Sequence, residues 1–181
     1  MVAPADVPAP AVAFGPLTEA NLEQVRALNR AIFPVNYPER VYQDMLVCGP
    51  VTQLALADGG AVVGAVGCRL EAAPNGPRLA VMTLGVLAPY RGGGIGSALL
   101  RRALAACAEV APEAAEAYLH VQQGNDDALR FYARHGFEVG ETVENYYRRI
   151  DPPHAVVLRL RLPGGAGGGA ADGAVVANAD R

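Results

Sequence analysis

The stretch VLAPYRGGGIGSALLRRAL, residues 86–104, sets three consecutive glycines between an apolar run and a helix-forming segment. A strand, then glycines, then a helix start brings main-chain N–H groups and the helix dipole onto an anion, with no Cβ to block close approach. Phosphate is the natural guest of such a loop. A flexible connection with no ligand is the plain alternative. A Walker loop needs GxxxxGK followed by Ser or Thr, and the chain has no lysine, all 15 of its basic residues being arginine. The dinucleotide fingerprint GxGxxG fails as well, since from Gly92 or Gly94 the third glycine would fall on Ser97 or Leu99. What remains is Arg-x-x-Gly-x-Gly, from Arg91 to Gly96.

The rest of the chain bounds what that loop serves. With 181 residues, 51% of them apolar, one domain with one sizeable core is the default. A net charge of −3 sets up no field to recruit nucleic acid or an anionic membrane, so partners are recognised locally. Cys48, Cys68 and Cys107 are odd in number and far apart, which fits neither a disulfide framework nor a zinc knuckle and points to a reducing interior. His120, His135 and His154 show no metal-ligand spacing, so no structural metal is expected. The opening MVAPADVPAPAVAF lacks a basic region and is broken by Pro4, Pro8 and Pro10, so it reads as a flexible arm and not a signal peptide. No apolar stretch approaches the roughly 20 residues of a membrane helix. A soluble protein is expected.

Periodicity yields an order of elements. Thr18 is expected to cap a helix carrying Leu22, Val25, Leu28 and Ile32, which Pro34 stops; Pro38 opens a second through Met45. TQLALADGGAVVGAVGCRL reads as two strands about the turn at Asp58, Gly59 and Gly60, and RLAVMTLGVL as a third. A helix over residues 95–110 follows the glycine loop, then the strand AYLHVQ. After it comes a helix capped by Asn125 and ended by Gly136. FEVGETV and HAVVLRLRL close the series, with ENYYRRI between them as a strand or an irregular loop. The Gly/Ala-rich tail has little to bury and is expected to be disordered. The domain division is therefore an arm over 1–13, a domain over 14–162 and a tail over 163–181. Helices, then a hairpin-built sheet, then alternating strands and helices make an α+β fold.

The RxxGxG loop resembles the acetyl-CoA signature of the GNAT acetyltransferases. MTLGVLAPYRGGGIGSALL, YLHVQ, NDDALRFYARHGFE, NYYRRI and IFPVNY together resemble, more specifically, the N-terminal protein acetyltransferases of the NatE catalytic type. The likeness spans residues 17–162 and leaves out only the tails. It implies a GNAT fold, a mixed sheet of about six to seven strands flanked by about four helices. It also implies acetyl-CoA as co-substrate, with the pyrophosphate on main-chain amides of Arg91, Gly92, Gly93, Gly94, Ile95, Gly96 and Ser97. The pantetheine would lie beside the preceding strand, at a bulge, near Leu84, Val86, Asn125 and Tyr132. Ordinary helix packing is the alternative for Tyr132.

The chemistry implied is acyl transfer from a thioester to an amine, in which the protein aligns the amine, removes a proton and stabilises developing negative charge. An α-amine, with a pKa of roughly 8 against about 10.4 for lysine, costs about 3 kcal/mol less to free at neutral pH, which favours a protein N-terminus as substrate. His120 is the expected base: it shares a strand face with Tyr118 and Gln122, and a pKa of about 6.5 suits proton removal near neutrality. The resemblance gives it that role through an ordered water. A structural histidine is the alternative. The family usually carries a tyrosine on the strand before the loop, where this chain has Ala80. Either His120 suffices through water, or a tyrosine such as Tyr118 substitutes, or catalysis is weak.

The resemblance also assigns substrate contacts. Phe33, Pro34, Val35 and Tyr37 would wall in a first-residue side chain, with Met82, Tyr146, Tyr147 and Ile150 completing the site. Helix termination by Phe33 and Pro34, and a core place for Tyr147, are the structural alternatives. The family preference is for chains that keep the initiator methionine before an apolar or similar second residue. Nascent or finished proteins are the implied substrates, and the NatA scaffold and catalytic subunits, with the ribosome through them, the implied partners. A weak accessory subunit of NatA and a lysine or small-amine acetyltransferase are the other readings. A cytoplasmic setting is expected, with a nuclear pool left open.

Overall fold

The computed structural model describes residues 11–165. Residues 1–10 of the expected arm and 166–181 of the expected tail lie outside the described residues. Among the described residues, one seven-stranded mixed sheet carries four α-helices, the α+β architecture anticipated.

The chain enters through β1 (Ala13–Pro16), a strand absent from the sequence reading, which started with a helix. Four residues broken by glycine and proline carry too little alternation to be legible; pairing with β2 (Gln53–Leu56) makes the strand. α1 (Leu22–Ile32) starts later than expected, and Thr18 is not its cap. Asn21 stands at the N-cap position, but its side chain turns backwards: Oδ1 accepts from the Thr18 N–H at 2.8 Å and Nδ2 donates to the Pro16 carbonyl at 3.2 Å. The helix ends where Pro34 forbids another turn. Pro38 precedes α2 (Glu39–Val47), which buries Val41, Tyr42 and Met45.

β3 (Val62–Glu71) returns from β2 through the expected Asp58–Gly60 turn, and β4 (Arg78–Val86) pairs with it antiparallel. α3 (Ile95–Val110), β5 (Glu116–Gln122) and α4 (Asp126–Arg134) follow as the periodicity predicts. Asn125 caps α4, its Oδ1 accepting from the Ala128 N–H at 3.1 Å. β6 (Glu138–Val143) and β7 (Ala155–Arg161) close the sheet in the order β1-β2-β3-β4-β5-β7-β6. ENYYRRI is an irregular loop between them, and Pro163–Gly165, at the start of the expected tail, forms a short helical turn.

The core is divided in two. α1 and α2 bury Val25, Leu28 and Met45 with Leu54, Ala65 and Met82. α3 seats Leu99, Leu100 and Ala103 with Leu79, Val81, Ala117 and Leu119. No helix of the described residues is long and apolar enough to cross a membrane.

Two features place the site. Gly67 faces Thr83 while Cys68 faces Val81, so β4 carries one extra residue, Met82, as a bulge. β4 and β5 then pair in parallel only at Arg78, Leu79 and Ala80, opposite Glu116, Ala117 and Tyr118, and part beyond them. Below the parting the two strands are sealed by Leu79 and Ala117, both fully buried. Leu99 is fully buried against that sheet, so Leu99→Ala leaves a cavity that costs about 2–5 kcal/mol; urea denaturation followed by circular dichroism reads the loss.

Candidate active site

The gap between the parted strands is a pocket of about 190 Å³. Val81, Met82, Thr83 and Leu84 of β4 line one wall, and Leu119, His120, Val121 and Gln122 of β5 the other. Alternation along β5 sends Leu119 and Val121 into the core and leaves Tyr118, His120 and Gln122 half-buried on the opposite face. Phe33, Pro34, Val35 and Tyr37 enter from the end of α1, Asn125, Ala128 and Tyr132 from α4, and Tyr147 and Ile150 from the irregular loop. Residues far apart in the chain thus meet around one pocket.

Gly85 is what allows α1 to close on β4. A Cβ there would stand 3.0 Å from Ile32 Cδ1 and 3.3 Å from Phe33 Cζ, tighter than ordinary contact. Phe33 is then braced edge-on by Tyr37, ring centroids 5.7 Å apart. The loop carrying Tyr147 is pinned at several points: the Tyr147 N–H donates to the Pro153 carbonyl at 2.8 Å, and Gln122 Nε2 donates to that of Pro152 at 3.0 Å. Tyr146 does not line the pocket; it is buried and stacked on His120, centroids 4.3 Å apart and planes 12° off parallel. Tyr132 is sunk in the core between Phe131 and Phe137, and burial pushes its hydroxyl pKa up, so it stays protonated at neutral pH.

The glycine loop follows the same strand. Gly92 and Gly94 have φ of +85° and +79°, the left-handed region that glycine adopts without strain. Gly94 is the N-cap of α3, so the first-turn N–H groups at Ile95, Gly96 and Ser97 lack intrahelical acceptors. Arg91 folds back, its Nε donating to the Val86 carbonyl at 2.7 Å, and the segment 91–97 holds no carboxylate to repel an anion. Val86 and the loop from Arg91 to Ser97 lie outside the lining of the pocket itself.

Ala80 is buried, offers no hydroxyl, and is in register with Tyr118. Tyr118 has its hydroxyl engaged elsewhere. Its hydroxyl donates to Glu71 Oε2 at 2.7 Å, it does not line the pocket, and burial together with the Glu71 carboxylate pushes its pKa up to about 12. Arg78 lies over its ring at 4.3 Å and also pairs with Glu71 at 3.1 Å, while Arg69 holds the other carboxylate oxygen. Sequence reasoning missed Val81, Thr83, Leu119, Val121, Gln122 and Ala128 as lining residues. Thr83 carried a signal, a lone polar residue in AVMTLGV; it is buried, and its hydroxyl finds no hydrogen-bond partner among the described residues. Among the described residues no cluster of His, Cys, Asp and Glu is arranged to hold a metal.

Comparison with known proteins bears on this geometry. Residues 22–137 match the Acetyltransferase (GNAT) family. The chain belongs to that family. This GNAT chain is 44% identical over 151 residues to N-alpha-acetyltransferase 50 of Danio rerio, across 83% of its own length and 89% of the relative's. It is 40% identical to the probable N-acetyltransferase san of Drosophila melanogaster, over 83% of this chain and 81% of that one. Among solved structures, Arabidopsis thaliana Naa50 in complex with the bisubstrate analogue CoA-Ac-MVNAL superposes with a TM-score of 0.76 at 43% identity. That match covers 82% of this chain and 97% of the Naa50 chain. The protein is an acyltransferase of the N-alpha-acetyltransferase type.

The Glu71 cluster has a pH signature. Burial works to raise the Glu71 pKa, but Arg69, Tyr118 and Arg78 outweigh it and hold the carboxyl below its usual range. A carboxyl that binds its proton less tightly when folded stabilises the fold above its unfolded pKa of about 4.3, and the contribution disappears as pH falls from there toward the folded value. Between about pH 6 and about pH 3 the wild type therefore loses more stability than Glu71→Gln, as read from urea midpoints at each pH.

Proposed function

We propose that this acyltransferase moves the acetyl group of acetyl-CoA to the α-amine of proteins that keep their initiator methionine before an apolar or similar second residue. The observation that carries this reading is the gap between β4 and β5, which gathers His120, the apolar wall of Phe33, Pro34, Val35 and Ile150, and the tyrosines 37 and 147 around one pocket. The analogue held by the Arabidopsis relative is written CoA-Ac-MVNAL, with peptide letters that start Met-Val, and an apolar first-residue wall suits that chemistry.

The loop suits the cofactor's diphosphate: left-handed glycines, first-turn N–H groups and an arginine, with no carboxylate among residues 91–97. Arg91, Gly92, Gly93, Gly94, Ile95, Gly96 and Ser97 would hold it, and Leu84, Val86, Asn125 and Tyr132 would flank the pantetheine. Acetyl-CoA supplies a thioester already activated for acyl transfer. The chain's own residues then have two tasks. Phe33, Pro34, Val35, Tyr37, Met82, Tyr147 and Ile150 seat the first residue and orient its amine, with Tyr146 bracing the His120 ring. His120 takes the amine proton through a water.

A second reading is favoured by one observation: Ala80 has no hydroxyl and that of Tyr118 is committed to Glu71. On it, the chain is a feeble catalyst that binds acetyl-CoA and acts as an accessory subunit of NatA beside the ribosome. Incubation with acetyl-CoA and a Met-Leu peptide decides between them. Mass spectrometry is expected to find acetyl on the peptide α-amine, and His120→Ala to lower kcat by about 10²–10⁴-fold. Undiminished turnover in that variant would remove His120 from the reaction, and a gain of rate in Ala80→Tyr would favour the second reading. Gly94→Glu, placing a carboxylate at a left-handed cap, is expected to abolish the heat of CoA binding in calorimetry.

A further inference from the structure

The reaction as proposed leaves unused a set of charges on the His120 face of the sheet. On β7, Val157 is in register with His120, and Arg159 with Tyr118. On β6 the register slips between Val139, opposite Leu158, and Thr142, opposite Val156, so Gly140 and Glu141 together face Val157. That extra residue has a consequence for direction. Counting back from Thr142, alternation puts the Glu141 side chain on the face of Val157, and therefore of His120. Arg159 Nη2 clamps the Glu141 carboxylate at 2.5 Å, while its Nη1 reaches Glu116 at 3.3 Å.

Several groups surround His120 on this face. Tyr118 meets it edge-on from its own strand, centroids 5.9 Å apart, with its proton committed to Glu71. Tyr146 stacks on it from the irregular loop, and Tyr37 and Tyr147 line the same pocket. β4 contributes only uncharged residues to that lining. β7 contributes Arg159 and Arg161, β6 Glu141 and Glu138, and β5 itself Glu116, which is paired with Arg159 and Arg78. Burial pulls the Glu141 carboxyl up, but a backbone hydrogen bond, Arg159 and the charge of His120 outweigh it, so it is anionic at neutral pH. Electrostatic coupling is mutual: what the imidazolium does for Glu141, the carboxylate does for the imidazolium.

We propose that Glu141, clamped by Arg159 on the β6 bulge, is a positioning residue that sets how readily His120 takes up a proton. A base that gains its proton as the amine loses one benefits from an anion on its own face of the sheet that stabilises the imidazolium. Because Glu141 is partly exposed, its influence is screened by salt. The assignment rests on the reading of His120 as base.

The test titrates His120 by its imidazole Cε1–Hε1 signal, distinguished from His135 and His154 by single His→Gln variants of the full chain. In low salt, Glu141→Gln is expected to lower the His120 midpoint by about half a pH unit, roughly threefold in proton affinity. Glu141→Asp restores most of it, the difference between Glu141→Gln and wild type collapses in about 1 M NaCl, and the acid limb of kcat/KM against pH moves with the midpoint. Coincident low-salt midpoints in wild type and Glu141→Gln would overturn the proposal, as would a difference that high salt leaves intact. Should His120→Ala keep full activity, the base reading falls whatever the titration shows, while the titration alone decides the role of Glu141.

Discussion

Three parallel pairs between β4 and β5, and no more, are the constraint on which the site depends. Fully buried Leu79 and Ala117 hold the strands together at one end. At the other, the Met82 bulge bends β4 away and leaves backbone donors and acceptors without a strand partner across the gap. α1 and the irregular loop roof it with apolar and aromatic side chains, and the glycine loop follows the same strand, its first-turn N–H groups lacking intrahelical acceptors. One departure from ideal pairing thus sets the pocket beside the end of β4 from which the glycine loop follows.

The face that carries His120 is organised by charge. Glu71 is held by Arg69 and Arg78 and accepts a hydrogen bond from the Tyr118 hydroxyl; Arg159 links Glu116 to Glu141. Arg78 reaches Glu71 on β3 and Glu116 on β5, and Arg159 reaches Glu116 on β5 and Glu141 on β6, fastening the sheet where the parting would otherwise weaken it, while Arg69 ties Glu71 to Asp44 of α2. The same arrangement commits the proton of Tyr118, which is in register with Ala80, and together with burial pushes its pKa up to about 12.

Much of this was legible before folding. α3 begins at Ile95 because the left-handed Gly94 caps it and the residues after it repeat at helical spacing, and Asn125 caps α4 as its sequence context predicts. β1 was not legible, because it acquires its identity from β2. Thr18 failed as a cap for a related reason: Asn21, three residues on, competes for the same turn and uses its side chain on the residues before it. The lining residues of β5 escaped in part because Leu119 and Val121 read as core, and they are core at the very point where the core opens into the pocket.

What the sequence determined alone is local: the strand, glycine loop and helix start from Val86 to Ser97, the alternation that turns His120 away from the core, and the absence of any lysine. These follow from backbone preference and side-chain periodicity, which need only neighbours in the chain. The tertiary structure decided that Phe33 and Ile150 share a wall with His120, that the Tyr118 hydroxyl belongs to Glu71, and that a bulge turns Glu141 toward the His120 face. Each depends on which strands pair and in which register, and a shift of one residue would send the same side chains to the opposite face.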